Sequence, residues 1–206
     1  MVIESFSDFY KYSLFIFDLD NTIYNEEDYL FQAYKAISQK LGGLTNRHNK
    51  NDLFTLMMEI YRKEGREKLF DKFLAGSGID SGYLAVCLKI LRSFNPEKRI
   101  EINPKMEKIL RSLVEKQKQI FVLTNGNPEQ QRNKIRNILW NGLDEKITFI
   151  LANEIEPKPS PEGIRHILKL TGIEKDKTIL IGDSKVDLDC ASRGEIRFVN
   201  IADLTI

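Results

Sequence analysis

Leu14-Phe15-Ile16-Phe17-Asp18-Leu19-Asp20-Asn21-Thr22 sets four apolar residues directly in front of two carboxylates and a hydroxyl. A run of this kind, two of its members Phe and one Ile, reads as a strand covered on both faces, as in a parallel sheet with helices on each side. Ligands of such sheets bind beyond the carboxyl ends of the strands, where Asp18 and Asp20 fall. Two ionised carboxylates two residues apart repel each other, and a divalent cation is the usual compensation. The competing reading is structural: Asp, Asn and Thr also favour turns and helix caps, so the stretch alone fits an Asx-type turn equally well.

Downstream, residues 24–96 have a different texture, with helical periodicity, many charges and no β-branched runs. The spacing of Tyr29, Leu30, Ala33, Ile37 and Leu41 predicts a helix from Glu26 to Leu41, stopped by Gly42-Gly43. A second is expected over Lys50 to Arg62, with shorter pieces at Glu67 to Leu74 and Gly82 to Phe94, together a small helical bundle. From residue 101 strand, turn and helix alternate. Asn103-Pro104, Asn127-Pro128 and Ser160-Pro161 each read as a cap followed by a first-turn proline. The helix after Asn127 carries Ile135, Ile138 and Leu139, and the one after Ser160 runs to Gly172. Strands are expected at Ile120 to Leu123, Ile147 to Leu151, Thr178 to Ile181 and Arg197 to Ile201, with a short helix to about Ser192 before the last. This alternation implies an α/β fold: a three-layer, Rossmann-like parallel sheet core (1–23 and 97–206) with a small inserted α-helical domain (24–96).

Composition narrows the function classes. With 206 residues the chain has room for one good core plus a modest insertion. Lys plus Arg number 31 against 30 Asp plus Glu, so no global field favours nucleic acid or an anionic membrane. Cys87 and Cys190 lack metal-type spacing and read as buried thiols of a reducing compartment. Acidic residues at Glu4 and Asp8, and the interruption at Asp18, fit neither a signal peptide nor a spanning helix, which points to the cytoplasm.

Each predicted core strand ends in a polar cluster: Asp18 to Thr22; Thr124-Asn125-Gly126; Asn153 to Lys158; and Gly182-Asp183-Ser184 with Asp187. A parallel sheet brings these ends to one edge, which suits a site better than a set of ordinary loops. Charge then suggests roles. Asp18 is a carboxylate available for in-line attack, giving an aspartyl-phosphate intermediate, and Asp20 is placed to pass a proton to the leaving oxygen. The Thr124 hydroxyl and backbone amides at Thr124-Asn125 suit the oxygens of the transferring group, and the Lys158 ammonium suits the charge collecting there. Asp18, Asp183 and Asp187 are hard oxygen ligands fitting Mg2+. Taken singly, Thr124 also fits a helix start, Lys158 a solvated loop charge and Asp187 an exposed helix residue; their order and strand-end placement favour the site.

These four clusters resemble the motifs of the haloacid dehalogenase superfamily, phosphatase branch: Asp18-Leu19-Asp20-Asn21-Thr22, Thr124 in Leu-Thr-Asn-Gly, Lys158 in Pro-Lys-Pro-Ser-Pro, and Gly182-Asp183-Ser184-Lys185-Val186-Asp187. The helical insertion stands where that family places an α-helical cap, between motifs one and two. The resemblance implies Asp18 as nucleophile, Asp20 as general acid and base, and Thr124 and Lys158 as phosphoryl ligands. It implies Mg2+ on Asp18, Asp183 and the backbone carbonyl of Asp20, with Asp187 supporting the metal indirectly. Asn21 departs from the commoner Gly of motif one and resembles nucleotidase-like and sugar-phosphatase-like members, as does Leu-Thr-Asn-Gly followed by Gln130 or Gln131 and Lys134.

The expected function is therefore Mg2+-dependent hydrolysis of a phosphomonoester on a small phosphorylated metabolite, a sugar phosphate or nucleoside monophosphate. A phosphomutase of the same superfamily is the alternative, with a non-catalytic scaffold behind it. A dehalogenase is disfavoured, because the resemblance says that branch lacks the acid that Asp20 supplies here. Substrate choice is expected among Tyr24, Asn25, Arg47, His48, Lys50, Arg62 and Arg66, with solvated helix surface as the competing reading of those charges.

Overall fold

The structure, a computed structural model, describes residues 9–45 and 48–204. Its centre is β1 (Leu14–Phe17), buried along its whole length. Strand β3 (Gln119–Thr124) pairs with one side of β1 and β6 (Thr178–Gly182) with the other, both parallel, so that Phe17 stands level with Val122 and Ile181. The flanks are β5 (Thr148–Leu151) and β7 (Arg197–Asn200), giving the parallel order β5-β3-β1-β6-β7. The chain leaves β1 toward β3 and later crosses back to β6, so the switch in winding direction lies beside β1, where an open α/β sheet forms its ligand crevice.

Helices cover the sheet as the alternation requires. Leu14 and Ile16 join Phe121, Leu123 and Leu180 in a core closed by Ile164 and Ile167 of α7 (Glu162–Thr171) and by Cys190 and Ala191 of α8 (Lys185–Gly194). Helix α5 (Pro104–Glu115) turns Met106, Ile109, Leu110 and Leu113 inward, and Asn103 caps it by accepting from the Lys105 and Met106 amides. The α/β, Rossmann-like parallel core is thus as the pattern implied.

By internal contacts the chain divides into two compact units, Met1–Glu26 with Ile100–Gln131 and Ile138–Ile206, and Glu27–Arg99 with Arg132–Asn137. The helical unit is built on α1 (Glu26–Thr45), α2 (Lys50–Glu64), α3 (Leu69–Ser77) and α4 (Leu84–Ser93). Its interior includes Tyr34, whose ring meets those of Tyr61 and Phe70 edge-on. Several features differ from the pattern. Helix α1 runs through Gly42-Gly43 to Thr45. A 3-10 turn, Ser81–Tyr83, capped by Asp80, precedes α4. Helix α6 (Pro128–Asn137) stops before Ile138 and Leu139, which instead form β4 (Ile138–Leu139) and pair with β2 (Ile100–Glu101). Ser160 lies too early to be the cap of α7, although its hydroxyl accepts weakly from the Glu162 amide at 3.4 Å. Both cysteines are free and buried, and among the described residues no helix is long and apolar enough to cross a membrane.

Candidate active site

Asp18 follows the last residue of β1, and its amide donates to Ile181 O at 2.9 Å, which extends the ladder by one step and fixes the carboxylate at the strand end. Thr124 ends β3, Asp183 follows β6, and Lys158 lies in the loop after β5. The sheet geometry therefore brings all four sequence clusters to one edge.

The centre of the site is an ion triad. Lys158 Nζ donates to Asp18 Oδ1 and to Asp187 Oδ1, each at 2.6 Å, with all three side chains buried. Burial pushes the Asp18 carboxyl up to about 7; the Lys158 ammonium opposes that rise, while the Asp187 and Asp20 carboxylates add to it. Burial works to lower the Lys158 ammonium, but its two carboxylate partners outweigh it and hold the group above its ordinary value. Burial, and next the Asp187 carboxylate, raise Asp183. Asp187, read from sequence as open to being a surface residue, is instead buried. Its Oδ2 accepts from the Ser184 amide and hydroxyl in a capping box at the start of α8. Gly182 lets it approach, since a Cβ there would stand 2.6 Å from the Asp187 carboxyl carbon.

One carboxylate oxygen each from Asp18, Asp183 and Asp187 lie within 4.8 Å of one another. The Asp20 carboxylate stands outside that group. Tyr24 Oη donates to its Oδ1 at 2.5 Å and Gln131 Nε2 to its Oδ2 at 3.1 Å. Between Asp20 and Tyr24 the chain turns back on itself. Asn21 has φ 58°, the left-handed region that Gly and Asn tolerate best, and its side chain accepts from the Glu26 amide at the start of α1. This is the physical reason the turn accepts Asn at this position. The Thr22 hydroxyl is buried without a hydrogen-bond partner.

Several residues have geometry that sequence reasoning did not foresee. Asn125 spends its side chain on the backbone of Lys158, donating to its carbonyl at 2.7 Å and accepting from its amide at 2.8 Å. The side chain thus positions the backbone of Lys158. Asn153 Oδ1 ties the same loops together by accepting from the Gly126 amide at 2.7 Å. Gln131, taken from sequence only as a branch marker, reaches back from α6 to Thr124 Oγ1 at 2.7 Å. An amide facing a carboxylate across 111 residues has no periodicity to reveal it.

Among the proposed specificity residues, Tyr24 is buried and engaged with Asp20. His48 bridges Thr45 Oγ1 and Ser77 O, and Arg62 pairs with Glu27 at 3.5 Å on the surface. Asn25, Lys50 and Arg66 are exposed, and Arg47 lies outside the described residues.

Residues 15–201 match the family of haloacid dehalogenase-like hydrolases. The chain belongs to that family. Among curated relatives, the pyrophosphatase PpaX of Bacillus mycoides is 21% identical over 180 residues, covering 86% of this chain and 78% of that protein. Among solved structures, a subfamily IA hydrolase of the superfamily from Geobacter sulfurreducens superposes with a TM-score of 0.65 at 19% identity, over 92% of this chain and 87% of that one. CbbY from Rhodobacter sphaeroides, solved with xylulose-1,5-bisphosphate, gives 0.61 at 15% identity, over 92% and 85%. At these identities the structures speak for the fold.

Proposed function

We propose that this hydrolase is a Mg2+-dependent phosphomonoesterase acting on a small phosphorylated metabolite, a sugar phosphate or nucleoside monophosphate, through an aspartyl-phosphate. The observation that carries the reading is the Lys158 ammonium held at 2.6 Å by both Asp18 and Asp187 at the carboxyl edge of the sheet. A nucleophilic carboxylate beside a buried cation is what phosphoryl transfer requires, because its catalysis is mostly positioning and electrostatic stabilisation.

The donor set fits a magnesium ion. Carboxylates of Asp18, Asp183 and Asp187 converge, the Asp20 carboxylate adds to the repulsion that Asp187 exerts on Asp18, and Lys158 supplies the one positive charge among these groups. A phosphate dianion approaching such a site meets net repulsion that a divalent cation relieves. Asp18, Asp183 and the backbone carbonyl of Asp20 would hold it, while Asp187, committed to Lys158 and Ser184, would act from behind. When bound, the ion supplies charge that draws in the phosphoryl oxygens.

The chain's own residues do the rest. An Asp18 oxygen attacks phosphorus as the bond to the leaving oxygen breaks, and Asp20 gives that oxygen its proton. Water then attacks the phosphorus of the aspartyl-phosphate, Asp20 takes the proton back, and the Asp18 carboxylate leaves with its electron pair, freeing inorganic phosphate. Lys158 and the Thr124 hydroxyl steady the negative charge of the transferring group.

The test is phosphate release from p-nitrophenyl phosphate and from a panel of sugar phosphates and nucleoside monophosphates, with and without Mg2+. The expected result is Mg2+-dependent release that Asp18→Asn abolishes. Release no higher than that variant's across the whole panel would sink the reading.

A further inference from the structure

Gln131 sits at a junction that the proposed chemistry does not yet use. It is 2% exposed, and its Nε2 has two hydrogens to share among three acceptors: Asn125 O at 2.6 Å, Thr124 Oγ1 at 2.7 Å and, the longest, Asp20 Oδ2 at 3.1 Å. Its Oε1 is buried with no hydrogen-bond partner. The orientation follows from the neighbours. Turning the amide over would set its oxygen against the ionised carboxylate and the carbonyl, neither of which then has a hydrogen to donate. Leaving an acceptor buried and unpaired is unfavourable, and such groups concentrate where function rather than stability fixes a side chain. The backbone makes room for this arrangement. Gly126 has φ 129°, and a Cβ there would press to 3.3 Å on both Gln131 Cδ and Nε2.

We propose that Gln131 is a positioning residue for the reaction, aligning the acid-base carboxylate and the phosphoryl-binding hydroxyl through one amide group; the proposal rests on the phosphatase reading above. At Thr124 the consequence is directional. A hydroxyl that accepts from Gln131 keeps its own hydrogen to donate, and its present acceptor, Asn125 O at 3.4 Å, is distant. The hydrogen is therefore available to a phosphoryl oxygen, whereas a hydroxyl without that partner is free to rotate away. At Asp20 a shared amide hydrogen reaches Oδ2 while Tyr24 donates to Oδ1, so each carboxylate oxygen has a donor that orients it. Groups on two different strands, Asp20 after β1 and Thr124 at the end of β3, are thereby registered to each other by a side chain from neither. All of these residues belong to one compact unit.

Gln131→Met keeps the length and volume of the side chain and removes its donors. The expected result is a fall in kcat of about 10²-fold, the scale on which a misplacement of about 1 Å acts, with KM within about threefold of wild type. The wild-type protein supplies a second readout. The two side-chain amide protons of Gln131, assigned by their loss in the variant's nitrogen-proton spectrum or, should that variant not fold, in that of Gln131→Leu, are expected to exchange with water far more slowly than those of a free glutamine. Retention of kcat within twofold in Gln131→Met overturns the proposal, as does a change in KM alone or free exchange of those protons. Failure of the phosphatase reading shows itself separately, as a wild-type protein inactive on every phosphoester, and the exchange of the Gln131 protons then decides whether the side chain holds this network at all.

Discussion

Gly182 shows how tightly single residues bind the site to the fold. A Cβ at that position would lie 2.6 Å from the Asp187 carboxyl carbon and 2.7 Å from its Cβ and Oδ2, distances that real contacts essentially never show. Asp187 cannot retreat without losing Lys158 and the Ser184 cap together. Gly182→Ala is therefore expected to lower stability by ~1–3 kcal/mol, the usual result of overpacking, in a thermal or urea melt. Phosphate release should fall in the same variant, because Lys158 loses a partner that orients it. At this scale the acids were legible in the sequence: Asp18 announces itself by interrupting an apolar run, and Lys158 and Asp183 by following later strands. Asn125, Tyr24 and Gln131 were not legible in their structural roles. Each is polar in a stretch where polar residues are ordinary, and what distinguishes it is a partner brought near only by folding.

Among the elements, α1 is the instructive departure. Gly42-Gly43 is a sound helix-stop signal, yet the helix continues to Thr45. Two glycines cost about 1 kcal/mol each in a helix interior. Against that, α1 buries Tyr29, Leu30, Ala33, Tyr34, Ile37 and Leu41 along one face, and burying a single large apolar side chain contributes about 1.5–3 kcal/mol. Packing outweighs propensity, and sequence alone shows only the propensity. The two glycines also differ from each other. A Cβ on Gly43 meets nothing within 4 Å, whereas one on Gly42 would come to 2.6 Å from Lys50 Cγ and 3.3 Å from the His48 carbonyl oxygen. Gly43→Ala should accordingly raise the unfolding free energy by ~0.5–1 kcal/mol, read as a higher urea midpoint at unchanged slope. Gly42→Ala should give less, or a loss. The β2–β4 pair has a similar lesson. Ile138 and Leu139 continue the apolar spacing of α6, and a two-residue strand is too short for a period of two to compete with it.

For the molecule as a whole, net charge and local charge point in different directions. The formal charge is +1, which gives no global field toward polyanions, yet one edge of the sheet gathers Asp18, Asp183 and Asp187, with Lys158 paired to two of them. That concentration works against folding unless something compensates it, so a divalent cation that binds there should stabilise the folded chain by mass action. At a concentration 100-fold above its dissociation constant the gain is ~2.7 kcal/mol. In a chain of this length each kcal/mol moves the melting temperature by about 2–4 °C. A thermal melt in MgCl2 should therefore rise by ~5–10 °C over one in EDTA with KCl at matched ionic strength. Asp183 is the discriminating position, because it is exposed and stands outside the Lys158 ion triad, so its substitution leaves that triad intact. Asp183→Asn should remove most of the Mg2+-dependent rise while leaving the melt in EDTA unchanged or slightly higher, since one repelling carboxylate is gone. An equal response to Mg2+ in wild type and Asp183→Asn would place the cation elsewhere, and no response in either would leave the acidic edge without the role assigned to it.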